Sequence, residues 1–167
     1  LSTVTATVFV PVGTASGAYY LLACADDLGA VAESSETNNC VASARTTQVT
    51  LPTADLAVTV VNDPPVAAVP GGYFLMTDTT LNVGPVTVGA TTTRYVLSTD
   101  AVRSSDDVVV GNRGMGALGP GVPSVGSGVV TIPVGTATAT YYVLACADDT
   151  QQIVEANEGN NCRAATG

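Results

Sequence analysis

The sequence predicts an all-β, antiparallel sandwich preceded by a partial copy of the same fold. Three observations predict it: a chain rich in Val, Thr, Ala and Gly with no helix-forming stretch, short apolar runs separated by turn residues, and a segment that occurs twice. Strands are expected near 55–61, 73–82, 92–98, 107–113, 128–132, 139–147 and 162–166.

The first of these alternates, with Leu56, Val58 and Val60 on one face and Ala57 and Thr59 on the other. It stops at Asp63-Pro64-Pro65, and the second runs from Pro70-Gly71-Gly72 to the turn Asn82-Val83-Gly84-Pro85. Gly119-Pro120-Gly121 and Pro133-Val134-Gly135 bracket the fifth. The sixth is apolar on both faces: Tyr141, Val143, Ala145 and Ala147 line one, Tyr142, Leu144 and Cys146 the other. Its outer face therefore needs a cover, either a loop of the same domain or a neighbouring subunit. No helix can be placed. Seven short strands with this punctuation fit an immunoglobulin-like antiparallel sandwich.

Shifting the chain on itself by 122 residues aligns Pro11–Ala42 with Pro133–Ala164 without a gap, and 19 of the 32 positions are identical. The match includes Tyr19-Tyr20, Cys24, Asp26-Asp27, Glu33, Glu36, Asn38-Asn39 and Cys40, which fall on Tyr141-Tyr142, Cys146, Asp148-Asp149, Glu155, Glu158, Asn160-Asn161 and Cys162. Residues 51–167 are expected to form a complete repeat, and residues 1–50 to hold only the C-terminal part of another. About three strands from the end of a sandwich would leave an apolar face in water and strand edges unpaired. Completion is expected from a longer tandem array or from a neighbouring molecule by strand addition.

Composition removes whole classes of function. The net charge is −9, from 14 acidic residues against five arginines. With no basic cluster, nucleic acid is excluded as an expected partner. There is no lysine, histidine or tryptophan, so most general bases, nucleophiles and transition-metal ligands are missing and catalysis is not expected. No apolar run is long enough for a membrane span, and no signal-peptide layout opens the chain.

Cys24 and Cys40 are 16 residues apart, and Cys146 and Cys162 repeat that spacing. Four cysteines allow three pairings; the simplest joins each pair within its own repeat, as expected in an oxidising compartment. The acidic groups Asp26, Asp27, Glu33 and Glu36, and Asp148, Asp149, Glu155 and Glu158, offer oxygen ligands at spacings that suit calcium. The competing reading is that the asparagine pairs bond to loop backbone while the carboxylates are solvated. Asp100, Asp106 and Asp107 form a second candidate calcium site. Tyr19, Tyr20, Tyr141 and Tyr142 either pack on the sheet, where they would serve assembly, or form a platform for carbohydrate. Paired carboxylates can cleave glycosides, but few aromatics accompany them and the motif is repeated rather than unique.

The segments Arg94–Asp100, Tyr141–Asp149 and Val154–Cys162, with Asp55-Leu56 and the stretch from Thr77-Asp78-Thr79 to Asn82, resemble the CARDB family, cell-adhesion-related domains found in bacteria. The resemblance covers residues 54–167 throughout and 4–45 as a second half; Leu81 and Val83 depart from the polar residues usual around the Asn82 turn. It implies a seven-stranded immunoglobulin-like sandwich, found in tandem in exported proteins, with adhesion or spacer roles and no activity of its own. The expected function is thus a non-catalytic extracellular repeat unit of a fibre, stalk or adhesin that associates with copies of itself. The alternative is a carbohydrate- or ligand-binding module attached to a secreted enzyme.

Overall fold

The computed structural model describes residues 4–166. Turn residues set where its nine strands stop: β1 (Gly17–Cys24), β2 (Cys40–Val49), β3 (Leu56–Val61), β4 (Tyr73–Asn82), β5 (Thr91–Ser98), β6 (Val108–Met115), β7 (Pro123–Thr131), β8 (Tyr142–Ala147) and β9 (Cys162–Ala164). Described residues contain no helix, and none is long and apolar enough to cross a membrane. The chain divides into two units, Leu1–Leu51 and Pro52–Gly167.

The second unit is an immunoglobulin-like sandwich of two antiparallel sheets, ordered β3-β4-β7 and β6-β5-β8-β9. All seven expected strands are present. Between the sheets lie Leu56, Val58, Met76, Tyr95, Val130 and Val143 with further apolar side chains, all buried. Each large one contributes about 1.5–3 kcal/mol by leaving water.

Two of the departures from the pattern have a visible cause. Val60 is exposed and Val61 takes the inward position, because a bulge between Val58 and Val60 shifts the register by one residue. β7 starts at Pro123 rather than near 128, since Gly126 and Gly128 belong to the strand instead of breaking it. A Cβ on Gly126 would meet the Arg113 side chain at 2.8 Å, and one on Gly128 the Tyr95 ring at 2.6 Å. Glycine is needed where β7 crosses these two large side chains.

Those side chains belong to a polar knot inside the sandwich. Arg113 of β6 donates from Nη2 and Nε to both oxygens of Asp78 on β4, at 2.6 and 2.7 Å, and the Tyr95 hydroxyl of β5 donates to Asp78 at 2.7 Å. Arg113 also donates to the Ser124 carbonyl of β7. All three ionisable groups are buried, so the pairing joins both sheets at the cost of desolvation. Burial, then the neighbouring Asp78 carboxylate, pushes the Tyr95 phenol well above its usual range.

Asn82 closes the end of β4. Its fully buried amide donates to the Val86 and Leu118 carbonyls and accepts from the Gly84 amide, so the turn that departs from the family pattern is held by side-chain bonds.

The first unit is a two-stranded sheet, β1 paired with β2, rather than the three or so strands expected. Residues 4–10 correspond in the repeat to 126–132 of the second unit, most of which lie in β7 and pair with β4. No counterpart of β4 exists among the described residues of the first unit, and residues 4–10 form no ladder.

Candidate functional site

The loop joining β8 to β9 gathers the acidic motif. Cys146 and Cys162 are opposite one another in the ladder and are disulfide-bonded, as are Cys24 and Cys40 in the first unit. Asp148 follows in the left-handed region, at φ 43°. Its carboxylate accepts the Thr91 hydroxyl at 2.7 Å and the Ile153 amide at 2.7 Å, which fastens the loop to β5.

Asp149 accepts Arg103 at 2.8 Å and Arg94 at 3.3 Å. Arg103 lies in the β5–β6 loop and also reaches Asp107 at 3.5 Å, so one guanidinium ties two loops together. Asp149 and its neighbours raise the affinity of Arg103 for its proton. Burial opposes ionisation of Asp107, but hydrogen bonds from Ser98 and Ser104 and the Arg103 charge outweigh it and hold this carboxyl below the usual range. Asp106 accepts the Ser104 hydroxyl, and Asp100 the Val102 amide.

Glu155 is buried against the start of β3. It accepts the Leu56 amide, while Asn161 donates to Glu155 at 3.2 Å and to Glu158 at 3.3 Å. Burial, with the nearby Glu158 and Asp148 charges, pushes the Glu155 carboxyl up to about 7. The Oδ1 atoms of Asn160 and Asn161 are buried with no hydrogen-bond partner.

Asp148, Asp149, Glu158, Asn161 and Arg103 line one open cleft of about 440 Å³. Asp106 and Asp107 line another of about 340 Å³ with Tyr141, and Asp100 lines neither of the two. The two acidic groups therefore do not converge on one centre, although Arg103 links them. Cys146 and Cys162 approach Asp149, as Cys24 and Cys40 approach Asp27, but disulfide sulfurs offer no thiolate to a metal.

The first unit repeats the contacts that lie within the loop itself. Asp26, at φ 47°, accepts the Val31 amide as Asp148 accepts that of Ile153. Glu36 takes the Glu33 amide and the Asn39 side chain, as Glu158 takes those of Glu155 and Asn161. The hydroxyls of Tyr19 and Tyr141 each donate to a carbonyl four residues back. Among its described residues the first unit lacks the partners that β3, β5 and the β5–β6 loop supply in the second.

In the second unit Val96, Leu144 and Cys146 form a buried outer cluster with Cys162 and Ala164, so the second apolar face of β8 is withdrawn from solvent. Tyr141 packs against the core, and Tyr142 is exposed. The Asp78–Arg113–Tyr95 knot was not foreseen in the sequence. Its signal was the inward series Met76, Asp78, Thr80 and Asn82, which places polar residues where alternation demands buried ones.

A family model for CARDB matches residues 53–165. The chain belongs to the CARDB family. CARDB is a family of non-enzymatic domains. A CARDB domain of Pyrococcus furiosus, crystallised in complex with di-metal ions, is 24% identical, with a TM-score of 0.50 over 70% of this chain and 94% of that one. Its solution structure matches at 22% identity and a TM-score of 0.49, over 69% of this chain and 95% of the other. A domain of a Methanosarcina acetivorans protein, provisionally assigned to the cell surface, matches at 20% identity and a TM-score of 0.49, over 68% of this chain and 89% of that one. No curated protein matches.

Proposed function

We propose that this CARDB protein is a non-catalytic structural module of the extracellular space or cell surface, a repeat unit that extends and joins a fibre, stalk or adhesin. The observation that carries this reading is the first unit, which reproduces the loop bonds of a CARDB repeat while its apolar strand faces solvent. Partners that complete it are copies of the same repeat, head to tail or in tandem. Two disulfides suit an oxidising compartment, and the Methanosarcina relative is described as a surface protein. Mass measurement and electron microscopy test the reading: concentration-dependent oligomers or fibres are expected. Compact monomers at every concentration would remove the fibre and leave a spacer.

A second reading places calcium in the β8–β9 loop. Asp149 and Asp107 are already neutralised by arginine, which leaves Glu155, Glu158 and the unpartnered Asn161 Oδ1 as ligands of the right chemistry. The di-metal complex of the Pyrococcus domain favours it. A calcium-dependent rise in Tm, lost in Glu158→Gln, would support this reading; an unchanged Tm in excess calcium would leave the carboxylates as loop-bonding groups. The carbohydrate-module alternative rests on exposed Tyr19, Tyr20 and Tyr142. A glycan array without signal would eliminate it.

A further inference from the structure

The loop that leaves β3 carries Asn62-Asp63-Pro64-Pro65, with Asp63 exposed. Asn62 is anchored to β4 twice: its backbone N–H donates to the Thr77 carbonyl at 3.0 Å, and its side-chain Oδ1 accepts the Thr77 N–H. The second bond fixes which way the amide points. Nδ2 is thereby aimed at the Asp63 carbonyl oxygen and donates to it at 3.0 Å. That carbonyl belongs to the peptide bond between Asp63 and Pro64.

The chemistry of this bond suits the donor. An aspartate carboxylate reaches its own carbonyl carbon through a five-membered ring, and the proline nitrogen departs as a secondary amine. Asp63 Oδ1 accepts the Thr166 hydroxyl at 3.2 Å, while Oδ2 has no hydrogen-bond partner and Asp63 no ion pair among the described residues. As the carboxylate adds, negative charge develops on the Asp63 carbonyl oxygen, and the bond from Asn62 Nδ2 strengthens with it.

We propose that the chain cleaves itself once, between Asp63 and Pro64. Oδ2 attacks the Asp63 carbonyl carbon. The C–N bond to Pro64 breaks, its electron pair stays on nitrogen, and that nitrogen takes a proton from solvent. Water then opens the cyclic anhydride left on Asp63, so one water is consumed and the products end in aspartate and begin with proline. One event per molecule is not turnover, so this activity goes beyond the structural reading without making the chain an enzyme.

The cut changes connectivity and leaves the core alone. Cys24–Cys40 lies before Asp63 and Cys146–Cys162 after it, so no disulfide spans the break. β3 stays in place through its ladder with β4 and through buried Leu56, Val58 and Val61. The sandwich then holds its first strand by non-covalent contacts alone, as a joint that releases on local unfolding.

The test incubates the full chain at mildly acidic pH beside a blocked peptide of residues 60–67 and follows both by mass spectrometry. Fragments ending at Asp63 and beginning at Pro64 are expected, formed roughly tenfold faster in the folded chain than in the peptide, a modest factor because the donor is exposed. Asn62→Asp keeps the acceptor for Thr77 and removes the donor, so it should slow the chain to the peptide's rate. Asp63→Asn should give no fragments, and native mass spectrometry of the cut chain should show the two pieces still associated. A chain that cuts no faster than the peptide, a comparison that needs no variant, would overturn the proposal. So would an unchanged rate in Asn62→Asp or the same fragments from Asp63→Asn.

Discussion

Asp78 and Arg113 illustrate how one residue can tie the sandwich together. Removing the carboxylate leaves a buried guanidinium uncompensated, so Asp78→Ala should cost about 3–5 kcal/mol in denaturant unfolding, whereas Tyr95→Phe, which deletes one hydroxyl, should cost about 1 kcal/mol. Glu155 acts in the opposite sense. Its folded-state carboxyl titrates at about 7, above its unfolded value of 4.5, so the folded state binds the proton more tightly. Between those two values the native state holds more protons than the unfolded one, and stability must fall as pH rises through that window. The full effect is about 3 kcal/mol. Thermal melts in chelator should show Tm decreasing from pH 4.5 towards 7 in the native chain, and a flatter profile in Glu155→Gln. A profile that rises over this range would show that Glu155 is ionised and satisfied in the folded protein.

At the scale of elements, strands were legible and their irregularities were not. Alternation in 55–61, the turn residues on either side of 73–82 and apolar character in 139–147 located β3, β4 and β8, because period 2 and its punctuation are direct images of strands in a sheet. The bulge after Val58 leaves no mark in the alternation, and the glycines of β7 answer to Arg113 and Tyr95 of the opposite sheet, which are distant in sequence. Gly128→Ala tests the second point. The added methyl meets Tyr95 and the Asn112 carbonyl oxygen at 2.6 and 2.7 Å, so a loss of about 1–3 kcal/mol is expected by chemical denaturation. The pairing of β8 with β9 rests on three residue pairs and a disulfide that closes a 16-residue separation. Cys146→Ser with Cys162→Ser should lower stability by roughly 3 kcal/mol and increase amide exchange at Leu144 and Ala164.

For the whole molecule, the repeat was the most informative feature of the sequence, and it located the loop scaffold of both units. It could not reveal which acidic residues were free, because Arg94 and Arg103 act on Asp149 from outside the repeated segment. The same asymmetry separates the units energetically. An isolated two-stranded sheet is marginal in water, while a seven-stranded sandwich with a continuous core resists opening. The chain has no lysine, so trypsin reads only its five arginines. Arg45 is exposed on β2, whereas Arg113 is buried and Arg94 and Arg103 are half-buried in ion pairs. Limited trypsinolysis should therefore cut after Arg45 well before Arg94, Arg103 or Arg113, leaving a resistant fragment that begins at Thr46. Equal cutting at Arg45 and Arg103 would mean that the two units open together, and that local strand number does not set their stability.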